Sequence, residues 1–245
     1  MRSHSLLRWL SIAGAAAVLF TLSVVPGTSQ APGPAKAKAK APAGPWMDRN
    51  LSPDQRADMV LAQMTLDEKI QLVHGGGGFG FTTGGQPSRS LGGAGWIPGI
   101  ERLGIPDINM ADSAVGVTRG ASRSRYATAL PSTLGLAASW DTKLAYLYGS
   151  VIGREVRDHG YNMSIGGGVN LTIEPRNGRN FEYQGEDPVL AGKLIGQLMK
   201  AVQDQHIMGD LKHYAFNNQE TGRNIGNVVL GVREMRQTEL LAFEI

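Results

Sequence analysis

Short apolar segments alternate with amphipathic helical patterns through much of this 245-residue chain. The apolar segments 105–110, 161–165 and 207–214 have the length of strands, and a polar loop and a helical pattern follow each of them. Because such alternation requires crossover connections, the strands are predicted to pair in parallel. The chain is therefore predicted to be an α/β protein whose functional loops follow the carboxyl ends of its strands.

The helical patterns set the scale of this fold. Asp141 caps a pattern that runs to Asp158, Pro188 opens a second, and Val232 begins a third that continues to Ile245. Only three strand–helix units are counted, whereas a closed eight-stranded barrel takes about 250 residues. The pattern therefore predicts either a partial barrel or a smaller open sheet.

The first 45 residues are predicted to lie outside the folded domain. Residues 1–30 join the basic Arg2 and Arg8 to an apolar run, which is typical of a secretory signal peptide, with a membrane anchor as the alternative. Residues 31–45, APGPAKAKAKAPAGP, form a low-complexity linker. The predicted location is periplasmic or secreted, without membrane association once the signal is removed.

Charge and cysteine content exclude several function classes. The sequence pI of about 9.2 reflects the amino-terminal region, which holds five of the 24 Lys and Arg residues and none of the 21 acidic ones. The rest of the chain is slightly acidic, so nucleic-acid binding has no electrostatic support. With no cysteine in the chain, disulfides and thiolate chemistry are excluded.

Neither a cofactor nor a metal ion is expected. Gly75, Gly77 and Gly80 satisfy the spacing G-x-G-x-x-G, but they follow a helical pattern and open a loop. A dinucleotide site needs these glycines after a strand and before a helix. The histidines lack an i, i+4 partner or an acidic helper at metal-binding spacing.

The polar segment GRNFEYQGEDP, residues 178–188, is the main candidate for ligand binding. It combines an arginine, three carboxylates and two aromatic rings with little apolar periodicity. Planar donors, carboxylate acceptors and flat apolar faces suit a sugar, which presents hydroxyls around a partly apolar ring. A solvated loop with local salt bridges is the alternative.

Other polar side chains follow the predicted strands. Asp112 lies just past the first strand, Arg179 and Glu182 come after the second, and Lys212 and His213 end the third. Adjacent strand residues point to opposite faces, so these last two reach one ligand only at a frayed strand end or a bulge.

Four segments, in this order, resemble the first domain of glycoside hydrolase family 3, and its β-glucosidase branch most closely. They are DSAVGV, ATALPSTLGLAASWD, GGGVNLTIEPRNGRNFEYQGEDP and GDLKHYAFNNQET. The resemblance runs from Trp46 to the last residue and implies a TIM-type (β/α)8 barrel, of which residues 46–245 would be about the first half. The N-acetylhexosaminidase branch is disfavoured, because HYAFNNQET replaces that branch's sequence after Lys212.

The resemblance also implies roles for individual residues. Asp112, Arg179, Lys212 and His213 would hold the hydroxyls of the glucosyl unit, although DSAVGV departs from the family's commoner D-G-P-x-G. The implied reaction is hydrolysis of terminal β-D-glucosyl residues with retention, on β-glucosides or β-glucan oligosaccharides. The nucleophile and the acid/base are expected beyond Ile245, so the chain alone is predicted to be inactive. An inert fragment or a carbohydrate-binding protein is the alternative.

Overall fold

A computed structural model of the protein describes residues 44–74, 89–118 and 126–245. These residues belong to one compact unit, Ala41–Ile245. The predicted signal peptide, nearly all of the predicted linker and the three glycines of the G-x-G-x-x-G pattern lie outside the described residues. Every helix within the described ranges is too short or too polar to cross a bilayer.

Helices and strands alternate in the described residues as the sequence predicts. The helices are α1 (Pro53–Gln63), α2 (Leu66–His74), α3 (Thr133–Ala137), α4 (Thr142–Asp158), α5 (Pro188–Asp204), α6 (Val232–Gln237) and α7 (Glu239–Glu244). The strands are β1 (Gly95–Ile97), β2 (Ile108–Ala111), β3 (Met163–Gly168) and β4 (Met208–Lys212).

The four strands form one sheet in the order β1-β2-β3-β4. Strands β2, β3 and β4 pair in parallel, which confirms the predicted α/β class. Strand β1 was not predicted: it has only three residues, follows a glycine-rich segment and pairs antiparallel with β2. Across the described ranges the sheet does not close into a barrel.

Polar side chains begin the two long helices. Asp141 accepts hydrogen bonds from the backbone N–H groups of the second and third residues of α4, at 2.8 and 3.2 Å. Asp187 caps α5 in the same way, at 2.7 and 3.0 Å, and Pro188 occupies the first turn. These bonds satisfy donors that have no partner within the helix, and they confirm both predicted helix starts.

Helices α4 and α5 cover the sheet and pack closely through small residues. Apolar periodicity assigns Leu144 and Leu147 to the buried face of α4, but these side chains are 41% and 56% exposed. The rest of the predicted apolar face is largely buried, and the buried face also carries two glycines. A Cβ atom on Gly149 would lie 2.1 Å from the carbonyl oxygen of Leu198 on α5. This contact turns the buried face of α4 away from its two leucines.

The carboxy-terminal pattern forms two helices rather than the single helical run predicted from Val232. The break falls at Thr238, whose hydroxyl donates to the carbonyl oxygen of Glu234 at 2.7 Å and whose backbone leaves the helical region. Such side-chain bonds compete with regular helix bonding. Helix α7 then starts at Glu239, which is buried.

We expect Gly149→Ala to destabilise the protein although alanine favours helices. The propensity gain is about 0.8–1 kcal/mol, whereas forcing a methyl group against a backbone carbonyl costs about 1–3 kcal/mol. The matched control is Gly196→Ala on α5, where nothing lies within 4 Å of the added Cβ. Urea denaturation should show a lower midpoint for the first variant and a slightly higher one for the second. Equal midpoints would contradict the close approach of α4 and α5.

Candidate functional site

Parallel pairing brings the ends of β2, β3 and β4 to one edge of the sheet. Asp112 directly follows β2, and Lys212 is the last residue of β4. The loop after β3 carries Arg179 and Glu182 to the same edge. This edge is where parallel α/β folds place their ligands.

Lys212 links two of these chain segments. Its Nζ donates to Asp112 Oδ1 at 2.8 Å and lies 3.4 Å from Glu182 Oε2. The side chains of Lys212 and Glu182 are 11% and 5% exposed, whereas that of Asp112 is 49% exposed. Glu182 is therefore an internal partner of the ammonium group, and Asp112 is the carboxylate that faces the open side of the cluster.

Glu182 also holds Arg179. The Nε atom of Arg179 donates to Glu182 Oε1 at 2.5 Å, and its Nη1 lies 3.6 Å from Glu220 Oε1. Burial of the guanidinium opposes its charge, but the hydrogen bond to Glu182 and nearby negative charges outweigh this and raise the pKa of Arg179. The arginine is held as a cation in a fixed orientation, with its planar fork of donors near Glu220.

His213 completes the cluster. It lies just beyond the end of β4, and a strand end is a position at which two adjacent residues can reach one ligand. Its backbone N–H donates to Asn170 Oδ1 at 2.7 Å, and Tyr183 Oη lies 3.1 Å from its Nδ1. Burial, followed by the charges of Arg179 and Lys212, lowers the pKa of His213 to about 4. The imidazole is neutral near pH 7, so it offers one donor and one acceptor.

The segment after β4 forms a further layer around these groups. Asn217 Nδ2 donates to Tyr183 Oη at 3.1 Å and to Glu220 Oε1 at 2.8 Å, and Arg223 lies 3.1 Å from the same carboxylate oxygen. Burial acts to raise the pKa of Glu220, but the bond from Asn217 and the charges of Arg223 and Arg179 lower it. Glu220 is consequently held as a carboxylate.

Two clefts border this cluster. One, of about 530 Å³, is lined by His213, Asn217 and residues of the following loop. The other, of about 360 Å³, is lined by Glu174, Asn177 and Glu220 among others. No group of three or more His, Asp or Glu side chains in the described ranges has the arrangement of a metal site.

The structure therefore brings together all four residues that the sequence suggested for sugar binding: Asp112, Arg179, Lys212 and His213. Sequence reasoning missed the central place of Glu182, which was noted only as a carboxylate after the second strand. Its spacing of three residues from Arg179 was the available signal, because that spacing allows an ion pair within one turn.

Comparison with known proteins places the chain in a family. Residues 99–245 match the family described as "Glycosyl hydrolase family 3 N terminal domain". Among the similar curated proteins, Beta-glucosidase BoGH3A of Bacteroides ovatus is 35% identical over 208 residues, which cover 81% of this chain and 26% of that protein. The chain belongs to glycosyl hydrolase family 3, as predicted, and its relatives include β-glucosidases.

Solved structures agree with this assignment. The structure of beta-glucosidase 3B from Thermotoga neapolitana in complex with glucose has a TM-score of 0.70 and 36% identity, covering 76% of this chain and 27% of that one. DesR, a beta-glucosidase from Streptomyces venezuelae in complex with D-glucose, has a TM-score of 0.67 and 34% identity, covering 77% and 23%. The chain thus spans about a quarter of the length of these relatives.

We expect the depressed pKa of His213 to make the protein less stable in mild acid. The unfolded histidine takes up a proton near pH 6.5 and the folded one only near pH 4. Between these values the unfolded state binds more protons, so the free energy of unfolding decreases as the pH falls. Urea midpoints measured at pH 7.5, 6 and 5 should decrease more steeply for the wild type than for His213→Gln. Parallel decreases would show that His213 does not titrate in this way.

Proposed function

We propose that the cluster of Asp112, Arg179, Lys212 and His213 binds the terminal glucosyl unit of a β-glucoside, and that the reaction it serves is hydrolysis of that unit. The observation that carries this proposal is the set of linked charges at the strand ends, with Lys212 Nζ 2.8 Å from a half-exposed Asp112. Glucose complexes of similar β-glucosidases support it.

The side chains of the cluster match the chemistry of a sugar. Asp112 accepts hydrogen bonds from sugar hydroxyls, and Lys212 and Arg179 donate hydrogen bonds to sugar oxygens. The neutral imidazole of His213 can serve as donor or acceptor. The charged groups already have protein partners, so a sugar hydroxyl replaces water in this arrangement and leaves no buried charge unpaired.

We also propose that the reaction proceeds with retention, using a nucleophile and an acid/base outside this cluster. Retaining glycosidases need two carboxyl groups about 5–5.5 Å apart, one of which must attack the sugar and the other donate a proton. Glu182 is bound by Arg179 and Lys212, and Glu220 by Arg223 and Asn217. Carboxylates held in this way orient donors and are poorly placed to attack a substrate.

Asp112 gives the most direct test of the site. Glucose should bind the wild-type chain, and Asp112→Ala should weaken binding at least about tenfold, since hydrogen bonds to a charged group contribute about 1.5–3 kcal/mol each. Asp112→Asn keeps the size of the side chain and one acceptor, so its loss should be smaller. The glucose affinity of the wild type and of both variants is measured by titration with glucose, monitored by ligand-observed NMR.

The same proteins distinguish the alternative functions. A wild-type chain that binds glucose without cleaving 4-nitrophenyl β-D-glucoside would support the proposed division between binding and catalytic residues. A chain that binds no glucose would favour an inert fragment. Hydrolysis of 4-nitrophenyl β-D-glucoside by the purified chain would mean that the catalytic carboxylates are among its own residues.

Arg179→Lys should weaken glucose binding nearly as much as Arg179→Ala. The planar guanidinium of Arg179 donates to Glu182 and points another N–H group towards Glu220. Lysine keeps the charge but has no such planar set of donors. Titrations of both variants with glucose provide the measurement. Near-normal affinity in the lysine variant would show that Arg179 contributes only charge.

A further inference from the structure

Glu239 is a buried carboxylate that the proposed sugar site does not itself use. It is the first residue of α7 and only 1% exposed. Its Oε2 accepts from the backbone N–H of Leu171 at 3.2 Å, and its Oε1 accepts from Asn218 Nδ2 at 2.6 Å. Burial raises the pKa of Glu239, although these hydrogen bonds act in the opposite direction. A buried carboxylate joined to two separate loops calls for an explanation.

The first of these loops, which follows β3, fixes the backbone of His213 through hydrogen bonds. Asn170 precedes Leu171 in the chain and is fully buried. Its Oδ1 accepts from the His213 N–H at 2.7 Å, and its Nδ2 donates to the His213 carbonyl oxygen at 3.4 Å. Asn170 therefore fixes both backbone polar groups of His213, and the bond from Leu171 to Glu239 fixes the chain next to Asn170.

The second loop, which follows β4, contains Asn217 and Glu220 of the layer around the cluster. Asn217 precedes Asn218 and donates to both Tyr183 Oη and Glu220 Oε1. Glu220 in turn lies beside Arg179. Both partners of Glu239 are thus immediate neighbours of residues that position the proposed sugar-binding groups.

We propose that Glu239 is a positioning residue for the glucosyl site. Its carboxylate ties the loop after β3 to the loop after β4, and so holds His213 and Asn217 in place before a sugar arrives. The proposal rests on the proposed function of the cluster. An alanine at this position would leave the buried backbone N–H of Leu171 and the side-chain amide of Asn218 without this acceptor, which favours opening of both loops.

The structure also identifies a conservative variant. Asn218 Oδ1 is buried and has no hydrogen-bond partner among the described residues. In Glu239→Gln the new carboxamide keeps one acceptor and adds one donor. A half-turn of the Asn218 amide would present its oxygen to that donor. Glutamine should therefore preserve the connection between the loops, whereas alanine should not.

The experiment compares Glu239→Ala and Glu239→Gln with Glu244→Ala, a change at an exposed carboxylate on the same helix. Amide hydrogen exchange at His213 is measured by NMR without sugar, and glucose affinity is measured by titration. In Glu239→Ala, exchange at His213 should accelerate about tenfold to a hundredfold while amides in α5 keep their rates. Glucose affinity should fall about tenfold. For Glu239→Gln, the exchange rate at His213 and the glucose affinity should both stay within about threefold of the wild-type values. Glu244→Ala should match the wild type in both.

The outcomes separate this inference from the proposed function. Unchanged exchange at His213 in Glu239→Ala would overturn the inference, whatever the glucose affinity. Equal acceleration at His213 and throughout α5 would overturn it too, because Glu239 would then support the whole fold. The two proposals can also fail separately. If exchange accelerates at His213 but not in α5 of Glu239→Ala, and the wild type binds no glucose, the proposed function is refuted while the ordering of the loops by Glu239 is supported.

Discussion

The contact on which the site depends is the ammonium group of Lys212 between two carboxylates. Removing one partner of a buried ion pair costs about 3–5 kcal/mol, and the buried pair here is that of Lys212 with Glu182. Asp112, Glu182 and Lys212 come from the end of β2, the loop after β3 and the end of β4. Lys212 reaches both carboxylates because these three strands are parallel neighbours, so the contact depends on the order of the strands.

The glycine run that ends β3 allows this convergence. A Cβ atom on Gly168 would lie 2.2 Å from the carbonyl oxygen of Glu182, and one on Gly166 would lie 2.7 Å from Ser113. The loops after β2 and β3 can therefore lie directly against the strand. Any larger side chain would move Glu182 away from Lys212. These glycines act through the close approach of the backbone rather than through contact with a ligand.

Sequence reasoning succeeded where a short local pattern carries the information. Strand–helix alternation predicted parallel pairing, and it placed Asp112 and Lys212 at the ends of two strands, where the structure shows them in contact. It failed where burial is decided by distant packing. Leu144 fits a buried helical stripe but is exposed, because small residues bring α4 against α5 along another face. Glu182 and Glu239 are ordinary acidic residues in sequence, and only the tertiary structure shows that both are buried.

The two carboxylates that contact Lys212 differ in exposure, and this difference suits the sugar binding that we propose. Glu182 is 5% exposed and holds both cations, so it maintains their geometry when no ligand is present. Asp112 is 49% exposed and shares one of those cations while it faces solvent. A ligand hydroxyl at Asp112 meets a carboxylate whose orientation is already fixed, so little ordering remains to be done on binding. In the site that we propose, the buried carboxylate thus confers rigidity, the exposed one is available to a ligand, and Lys212 contacts both.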